Sequence, residues 1–489
     1  MRSEERNEKV EKKVLWPQWI AGFGVYLLTT QLGLMCGWSS PHVHLLTGPN
    51  APFPVTMSEV SWVVSLLNYG RFFGAIAGAV NINYFGSKAA VLISGVPGTL
   101  CWLFVIVANN VNWLYSSRFF GGICVGMTYS CYSLYVGEIA EPSIRGALVA
   151  LATCGIPSGT FLMSVMGAYL PMRISAAISL AICIVMIGIF VWLPESPHHL
   201  IKKNLEEKAK LSIQWYHRNS DVETEFVGLR RFVENLNKLT LKSALDELVQ
   251  YRKPLFIISC LIIYSQWCGI NTVLFYMETI LTSAKVSVIP PATVVIIVMP
   301  CGMVASCLSM VLMDRYGRKP LMIASCIGIT ISFVMLTVEF HLLGLGYNSK
   351  SVEGVSFAAM ILFYMSVSLG AILVPQTVLG EVFAPHLKWL AACIISSIAA
   401  IAAIVSASTY LPLLNAMTER YLFLFFGVII ATAVPFTIFC VPETKGLSLQ
   451  EIQKKFGGKS TPRVTSVYME TDKLSRGKIA GPFIILPSD

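Results

Sequence analysis

Apolar residues run through this chain in long blocks separated by short polar turns, and the blocks have the length of a bilayer crossing. A span needs about 20 mostly apolar residues, and twelve stretches meet that condition. They are Trp19–Trp38, Ser61–Asn81, Ala89–Ala108, Trp113–Tyr135, Gly146–Leu170 and Ile174–Leu193, then Pro254–Tyr276, Pro291–Met313, Leu321–Leu343, Val355–Leu379, Leu390–Leu411 and Tyr421–Val441. The pattern predicts an all-α membrane protein with 12 transmembrane helices. An even number of crossings puts both termini on one side.

The polar segments divide the chain further. Residues 1–18 form an N-terminal segment, 19–193 a first six-helix half, 194–253 a linker, 254–441 a second six-helix half and 442–489 a tail. In the linker, Lys202, Lys203, Lys208, Lys210, Arg230, Arg231 and Lys242 alternate with apolar residues at helical spacing, which predicts amphipathic helices lying on one membrane face. Of the 36 Lys and Arg residues, Arg173, Lys285, Lys350 and Arg420 fall in odd-numbered loops and Arg71 and Arg118 inside spans. The other 30 lie in even-numbered loops and tails, so both termini and the linker are expected to be cytoplasmic.

Composition agrees. The 489 residues are 55% hydrophobic and 13% charged, with a mean hydropathy of +0.66, against roughly a quarter charged in a soluble domain. The net charge of +9 is explained by the cytoplasmic bias of Lys and Arg, so no nucleic-acid partner is expected. All 13 cysteines sit in apolar runs without metal-type spacing and read as small packing residues, not disulfides. The charged start, Met1 to Lys13, lacks the apolar core and cleavage site of a signal peptide, so the first span is expected to direct insertion. Gly457-Gly458-Lys459-Ser460 imitates the end of a phosphate-binding loop, but Gln453 stands where the first glycine belongs and no strand precedes it.

The two halves repeat one another. Asn83-Tyr84-Phe85-Gly86-Ser87-Lys88 after span 2 answers Asp314-Arg315-Tyr316-Gly317-Arg318-Lys319 after span 8. Gly137-Glu138, followed seven residues later by Arg145, answers Gly380-Glu381 followed by Lys388. Pro194-Glu195-Ser196 answers Pro442-Glu443-Thr444, and all three offsets are about 230 to 250 residues. Two parallel six-helix pseudo-repeats, with a binding site between them near the midplane, describe the major facilitator fold.

These motifs, with Gln266-x-x-Gly269-Ile270-Asn271 and Pro442-Glu443-Thr444-Lys445-Gly446, resemble the sugar porter family of the major facilitator superfamily. Gly37-Trp38-Ser39-Ser40-Pro41 and Gly137-Glu138-Ile139-Ala140-Glu141 resemble more narrowly the insect facilitated trehalose transporter-like group. The resemblance implies gating salt bridges that lock the cytoplasmic side. Glu138 would pair with Arg118 and Arg145 in the first half, and Glu381 with Arg315, Arg318 and Lys388 in the second, while Asp314, Lys319, Glu195 and Glu443 extend the networks. The bland alternative is anchoring at the headgroups, since a charge taken from water costs several kcal/mol unless paired. His198 departs from the family, which has Arg there, and the first-half loop has Asn83, Tyr84 and Ser87 where the second has Asp314, Arg315 and Arg318. The lock is therefore expected to be lopsided.

For substrate binding the resemblance implies Gln266 and Asn271 in span 7, with Gly269 breaking the helix and Tyr276 closing over the substrate. Helix-to-helix adhesion is the other use of such amides. Family positions usually held by amides or Trp carry Thr153, Ser265, Gly302, Ser368, Gln376, Ala399, Ala400 and Ala403, of which Gln376 and Thr153 remain candidate contacts. Arg71, near the middle of span 2 beside the ladder Gly70, Gly74 and Gly78, either faces a cavity and attracts an anion or bonds backbone carbonyls.

The expected function is facilitative transport of a sugar, trehalose or a hexose, by a monomer in the plasma membrane. Span 1 carries no carboxylate, and Glu278 and Glu339 lie toward outer ends, so no proton coupling is expected. A different, anionic solute or a non-transporting sensor are the alternatives. No cofactor, metal or enzymatic chemistry is expected. His42 and His44 read as solvated residues of an outer loop, His199, His217, His341 and His386 are scattered, and the outer loops hold no glycan acceptor.

Overall fold

The structure, a computed structural model, describes residues 14–48, 51–141, 144–218, 221–236, 241–286, 289–383, 387–445, 447 and 451. The N-terminal 13 residues, His386, Gly446 and the glycine-rich tetrapeptide of the tail lie outside them. The first half comprises α1 (Trp16–Gly37), α2 (Ser39–Thr47), α3 (Met57–Phe85), α4 (Ser87–Val107), α5 (Val111–Ile139), α6 (Arg145–Tyr169) and α7 (Met172–Trp192). The linker forms α8 (Pro197–Lys202), α9 (Glu206–Tyr216), α10 (Val222–Leu236) and α11 (Leu241–Gln250). The second half comprises α12 (Arg252–Trp267), α13 (Ile270–Ser283), α14 (Pro291–Tyr316), α15 (Arg318–Gly344), α16 (Ser349–Ser366), α17 (Leu373–Val382), α18 (Lys388–Ala416) and α19 (Glu419–Cys440).

Twelve of the described segments are long and apolar enough to span a membrane, and they coincide with the twelve apolar stretches. Three are interrupted. Span 1 breaks at Trp38 between α1 and α2, span 7 at Gly269 between α12 and α13, and span 10 through a π-turn at Val367–Ala371 between α16 and α17. Only the second break was expected. Gly269 has φ +79°, and a β-carbon on it would overlap the Phe333 ring, so both the backbone and the packing require glycine.

Large apolar side chains such as Val191, Val311 and Phe439 face outward over the bundle, as a lipid surrounding demands. Inside, glycine sets how closely helices approach. The ladder Gly70, Gly74, Gly78 meets α5, where Gly122 and Gly126 face it, and a β-carbon on Gly70 or Gly122 would overlap the opposing carbonyls of Phe119 or Leu67. Gly33, Gly155 and Gly159 do the same between α1 and α6. The halves meet where α18 packs on α3, α14 on α6 and α13 on α2. Along the second of these seams the Cys154 and Cys307 sulfurs approach to 3.6 Å. All thirteen cysteines are free thiols.

His42 corrects the sequence reading. It lies on α2, buried, its ring stacked on Trp38 at 4.6 Å with Nδ1 2.8 Å from the Trp38 carbonyl. Hydropathy continues smoothly through the helix break, so the outer loop appears in sequence to begin a helix too early.

The linker is docked. Leu200, Ile201, Ala209, Ile213, Phe226 and Val233 form a small core of their own. Tyr216 ties it to the bundle, its hydroxyl 3.0 Å from that of Tyr135 and its carbonyl accepting from Gln18 Nε2 at 3.0 Å. His217 adds a titratable joint, with Nε2 3.1 Å from the Ile139 carbonyl and Nδ1 2.5 Å from Glu225 Oε1. Burial opposes protonation of His217, but the hydrogen bond and charge of Glu225 win and raise its pKa above 6.5. A raised folded pKa contributes stability that is complete below the unfolded value and is lost as pH rises through the folded one. His217→Gln should therefore destabilise the detergent-solubilised protein more at pH 6 than at pH 9, by up to about 1 kcal/mol at the lower pH, read as the larger fall in melting temperature. An equal shift at both pH values would refute the pair.

Candidate functional site

Two groups of residues follow from this frame: paired braces at the end of the bundle that carries the termini, and polar side chains on the helices where the halves meet. In the second half, Gly317 turns the chain between α14 and α15 with φ +102°, and a β-carbon there would lie 2.5 Å from Glu443 Oε2. The turn leaves the first N–H groups of α15 unpaired, and Glu443 caps them, accepting from Arg318 N and Lys319 N at 3.0 Å each. Burial works against the Glu443 carboxylate, but the N–H groups of Arg318, Lys445, Lys319 and Thr444 outweigh it and hold its pKa below the usual range. The Arg318 side chain then reaches Glu381 on α17, with Nε at 3.0 Å and Nη2 at 2.5 Å from Oε1. Thr444 Oγ1 donates to the other carboxylate oxygen at 2.7 Å. Asp314 stands 3.7 Å from Arg318, and Lys319 Nζ donates to the Ile438 carbonyl at 2.6 Å. Glu381, Arg318, Glu443, Asp314 and Lys319 are thus brought together as the sequence suggested.

Arg315 is not among them. It is exposed, 6.0 Å from the Tyr316 ring, and its carbonyl accepts from Lys445 Nζ at 2.6 Å. Lys388 lies within electrostatic reach of Glu381 and also of Arg145 from the other half.

The first half has the same backbone with a weaker chemistry. Gly86 adopts φ +96°, matching Gly317. Ser87 takes the place of Arg318 and donates to Glu138 Oε2 at 2.5 Å, while Ser196, the counterpart of Thr444, donates to the same oxygen at 2.5 Å. Glu195, counterpart of Glu443, has its pKa raised by burial, which its bonds to the N–H groups of Ser196 and Lys88 only partly offset. Arg145 donates to the Ala140 carbonyl at 3.2 Å, capping the end of α5. His198 is half-buried near Glu138, and loss of solvent around its ring holds its pKa below 6.5. The two hydroxyl partners carry no charge and were not assigned a role in sequence, although Ser196 and Thr444 recur at the same place in the repeat.

Arg118 is a correction. It sits twenty residues before Glu138 on α5, about 30 Å away at 1.5 Å per residue. Only 1% exposed, its guanidinium donates to the Met35 carbonyl at 2.8 Å and to Ser39 Oγ at 2.7 Å and lies over the Trp38 ring at 5.0 Å. It clamps the break between α1 and α2.

The remaining candidates lie on helices of both halves. Asn271 Nδ2 donates to the Gln266 carbonyl at 3.3 Å across the Gly269 break, capping the end of α12, while the Gln266 amide is half-buried and bonds Ser265 at 3.4 Å. Tyr276 is buried against Tyr410 of α18 at 4.5 Å. With the 3.3 Å bonds Ser408 to Ser65 and Glu278 N to Ser40 Oγ, that stack closes the end opposite the termini. Gln376 is exposed on α17, and Thr153 bonds back to Val149 of its own helix. Arg71 lies over the Tyr129 ring at 4.8 Å and near Cys36, which Tyr364 approaches from the other half.

The departures at the family positions have packing reasons. A β-carbon on Gly302 would stand 3.4 Å from Tyr364 Cδ1 and 3.2 Å from Ser368 Oγ, so Tyr364 fills the space an amide would take. Ala399, Ala400 and Ala403 are buried in a helix that packs on α3 and α12. Among the described residues, Trp38 Nε1, Asn68 Nδ2, Thr272 Oγ1 and Tyr364 Oη are buried without a hydrogen-bond partner. Such groups are costly to leave unpaired, and the sequence reading named none of the four as a contact.

The profile of a family described as "sugar (and other) transporter" matches residues 18–456. The facilitated trehalose transporter of Drosophila grimshawi is 29% identical over 457 residues, which is 93% of this chain and 49% of that protein. That of Polypedilum vanderplanki is likewise 29% identical, over 93% of this chain and 90% of its own length. The chain thus spans about half the length of most of the curated relatives it matches. Among solved structures, the inward open xylose transporter XylE from E. coli superposes with a TM-score of 0.73 at 19% identity, covering 90% of this chain and 99% of that one. The proton:xylose symporter XylE bound to 6-bromo-6-deoxy-D-glucose gives 0.71 at 20%, covering 89% and 99%. At those identities the likeness establishes the fold, that of the major facilitator superfamily.

Proposed function

This chain belongs to the sugar (and other) transporter family, and from that premise we propose that it carries a sugar, trehalose or a hexose, by facilitated diffusion through alternating access. The observation that carries the reading is the family match over nearly the whole chain, joined to unpaired buried polar groups on α3, α13 and α16 whose hydrogen bonds a polyol would complete. Rocking of the halves would expose them in turn, and the closed Tyr276–Tyr410 end corresponds to a state facing the terminal side. The strong excess of Lys and Arg at that end supports cytoplasmic termini, and a monomer in the plasma membrane remains the working expectation. Its role is transport and not catalysis.

Radiolabelled uptake into oocytes tests this directly. Trehalose or a hexose should enter saturably and equilibrate without accumulating, whether or not a pH gradient is imposed. Gln266→Ala should raise the half-saturating concentration by about fivefold, the worth of one net hydrogen bond of about 1 kcal/mol. Accumulation driven by acid outside would overturn uniport, and absence of sugar uptake would overturn the substrate. A second reading, an anionic organic solute, is favoured by Arg71, whose guanidinium lies mid-bundle over Tyr129. It requires that organic anions enter and that Arg71→Gln abolish their entry.

A further inference from the structure

Outside the transport path, the linker builds a cavity of about 780 Å³ against the terminal end of the bundle, within the 300–1,000 Å³ range usual for small-ligand sites. Its walls are Pro194, Glu195 and Leu200 on one side and one face of α9, with Arg218 just beyond, on the other. The α9 face is Lys208, Leu211 and Trp215, spaced so that they stack along one side of a helix. The opposite face, Ala209, Ile213 and Tyr216, is buried, and Ser212 lies at the edge between the two. On the cavity side Lys208 and Leu211 are exposed and Trp215 is half-buried, so with Arg218 the lining combines positive charge with apolar surface.

We infer that this cavity binds the anionic headgroup of a membrane phospholipid, with Arg218 at the membrane rim holding the phosphate, Lys208 adding positive charge at the far end of the α9 face, and the acyl chains running up the outer face of α7. Three observations carry this. Leu211 is 64% exposed and lines the cavity beside Trp215 one turn on, so the two present adjoining apolar surface to whatever enters it. The Trp215 ring packs edge-on against Trp192 at 5.6 Å, and Trp192 is the last residue of α7, 61% exposed beside outward-facing Val191. The rim of the cavity is therefore continuous with the lipid-facing surface, at the depth where Trp concentrates in membrane proteins. Finally, Arg218 is held with its guanidinium 4.8 Å above the ring of Trp16, the first residue of α1, so this cation stands at the membrane boundary. Glu195 does not cancel the two cations: it accepts the N–H of Ser196 at 3.1 Å, and its charge is coupled to Lys88.

A phosphate could come from a lipid or from solution, and the test separates the two. The purified full chain in mild detergent is mixed with equal phosphatidylserine and phosphatidylcholine, and retained lipid is counted by native mass spectrometry beside melting temperatures. Phosphatidylserine should be retained over phosphatidylcholine and should raise the melting temperature, while inorganic phosphate at the same concentration should not. The Lys208→Gln/Arg218→Gln double variant should cut phosphatidylserine retention at least fivefold, and Leu211→Asn, with both cations kept, should also lower it. Lys350→Gln, at the opposite end, should leave it unchanged. Unaltered retention in either variant overturns the site, as does equal stabilisation by inorganic phosphate, which would mark a soluble-anion site.

Discussion

Arg318→Ser, which writes the first-half residue into the second half, should reduce uptake at least tenfold while Ser87→Ala changes it less than twofold. The two positions are equivalent in the repeat, yet Arg318 supplies a charged two-nitrogen grip on Glu381 where Ser87 supplies one neutral hydroxyl to Glu138. Arg318 and Glu381 are 13% and 24% exposed. Breaking a fully buried pair costs 3–5 kcal/mol and a surface pair less than about 1, so this one falls near 2 kcal/mol. Applied to the balance between transport conformations, about 2 kcal/mol is a roughly thirtyfold change in population. Glu381→Gln should act in the same direction, and Arg318→Lys should recover little because one ammonium cannot reproduce the fork. Equal effects of the Arg318 and Ser87 substitutions would show that the brace is symmetric after all.

The largest loss of folded protein is expected from Gly122→Leu. Gly122 presses against backbone atoms of α3, the Leu67 carbonyl and the Gly70 α-carbon, so no side chain can move aside to admit a substituent. Overpacking a core costs about 1–3 kcal/mol when side chains can adjust, and a backbone obstacle places this change at or above about 3. Against a total stability of roughly 5–15 kcal/mol, the monodisperse peak in size-exclusion chromatography should shrink severalfold or more. Gly188→Leu, on α7 where nothing stands within 4 Å of the missing β-carbon, should behave as wild type. Comparable losses from both would mean that helix propensity, not the α3–α5 seam, sets the cost.

The twelve crossings were legible because hydropathy over 20 residues is a coarse quantity that local detail cannot hide. The second-half brace was legible for a similar reason: charges at the ends of apolar runs are few, and the repeat singled out Glu381 and Arg318. Arg118 was misassigned by charge alone, although its distance from Glu138 along one helix could have been counted. The breaks at Trp38 and at Val367–Ala371 leave no trace in hydropathy, and so the burial of His42 was hidden. The hydroxyls of Ser87 and Ser196 were passed over because a neutral donor stands out only once the carboxylate it meets is placed. The alanines of α18 looked like a depleted binding surface and are buried packing, a distinction that needs the neighbouring helix.

The Cys154–Cys307 approach across the α6–α14 seam gives the molecule a built-in gauge. Each half contributes one thiol, and at 3.6 Å a short bridging reagent or a metal probe would join them without any residue being introduced. The rate at which that bridge forms, with and without sugar, reports how the seam opens and slides in the unaltered protein, and so times the rocking motion from the inside.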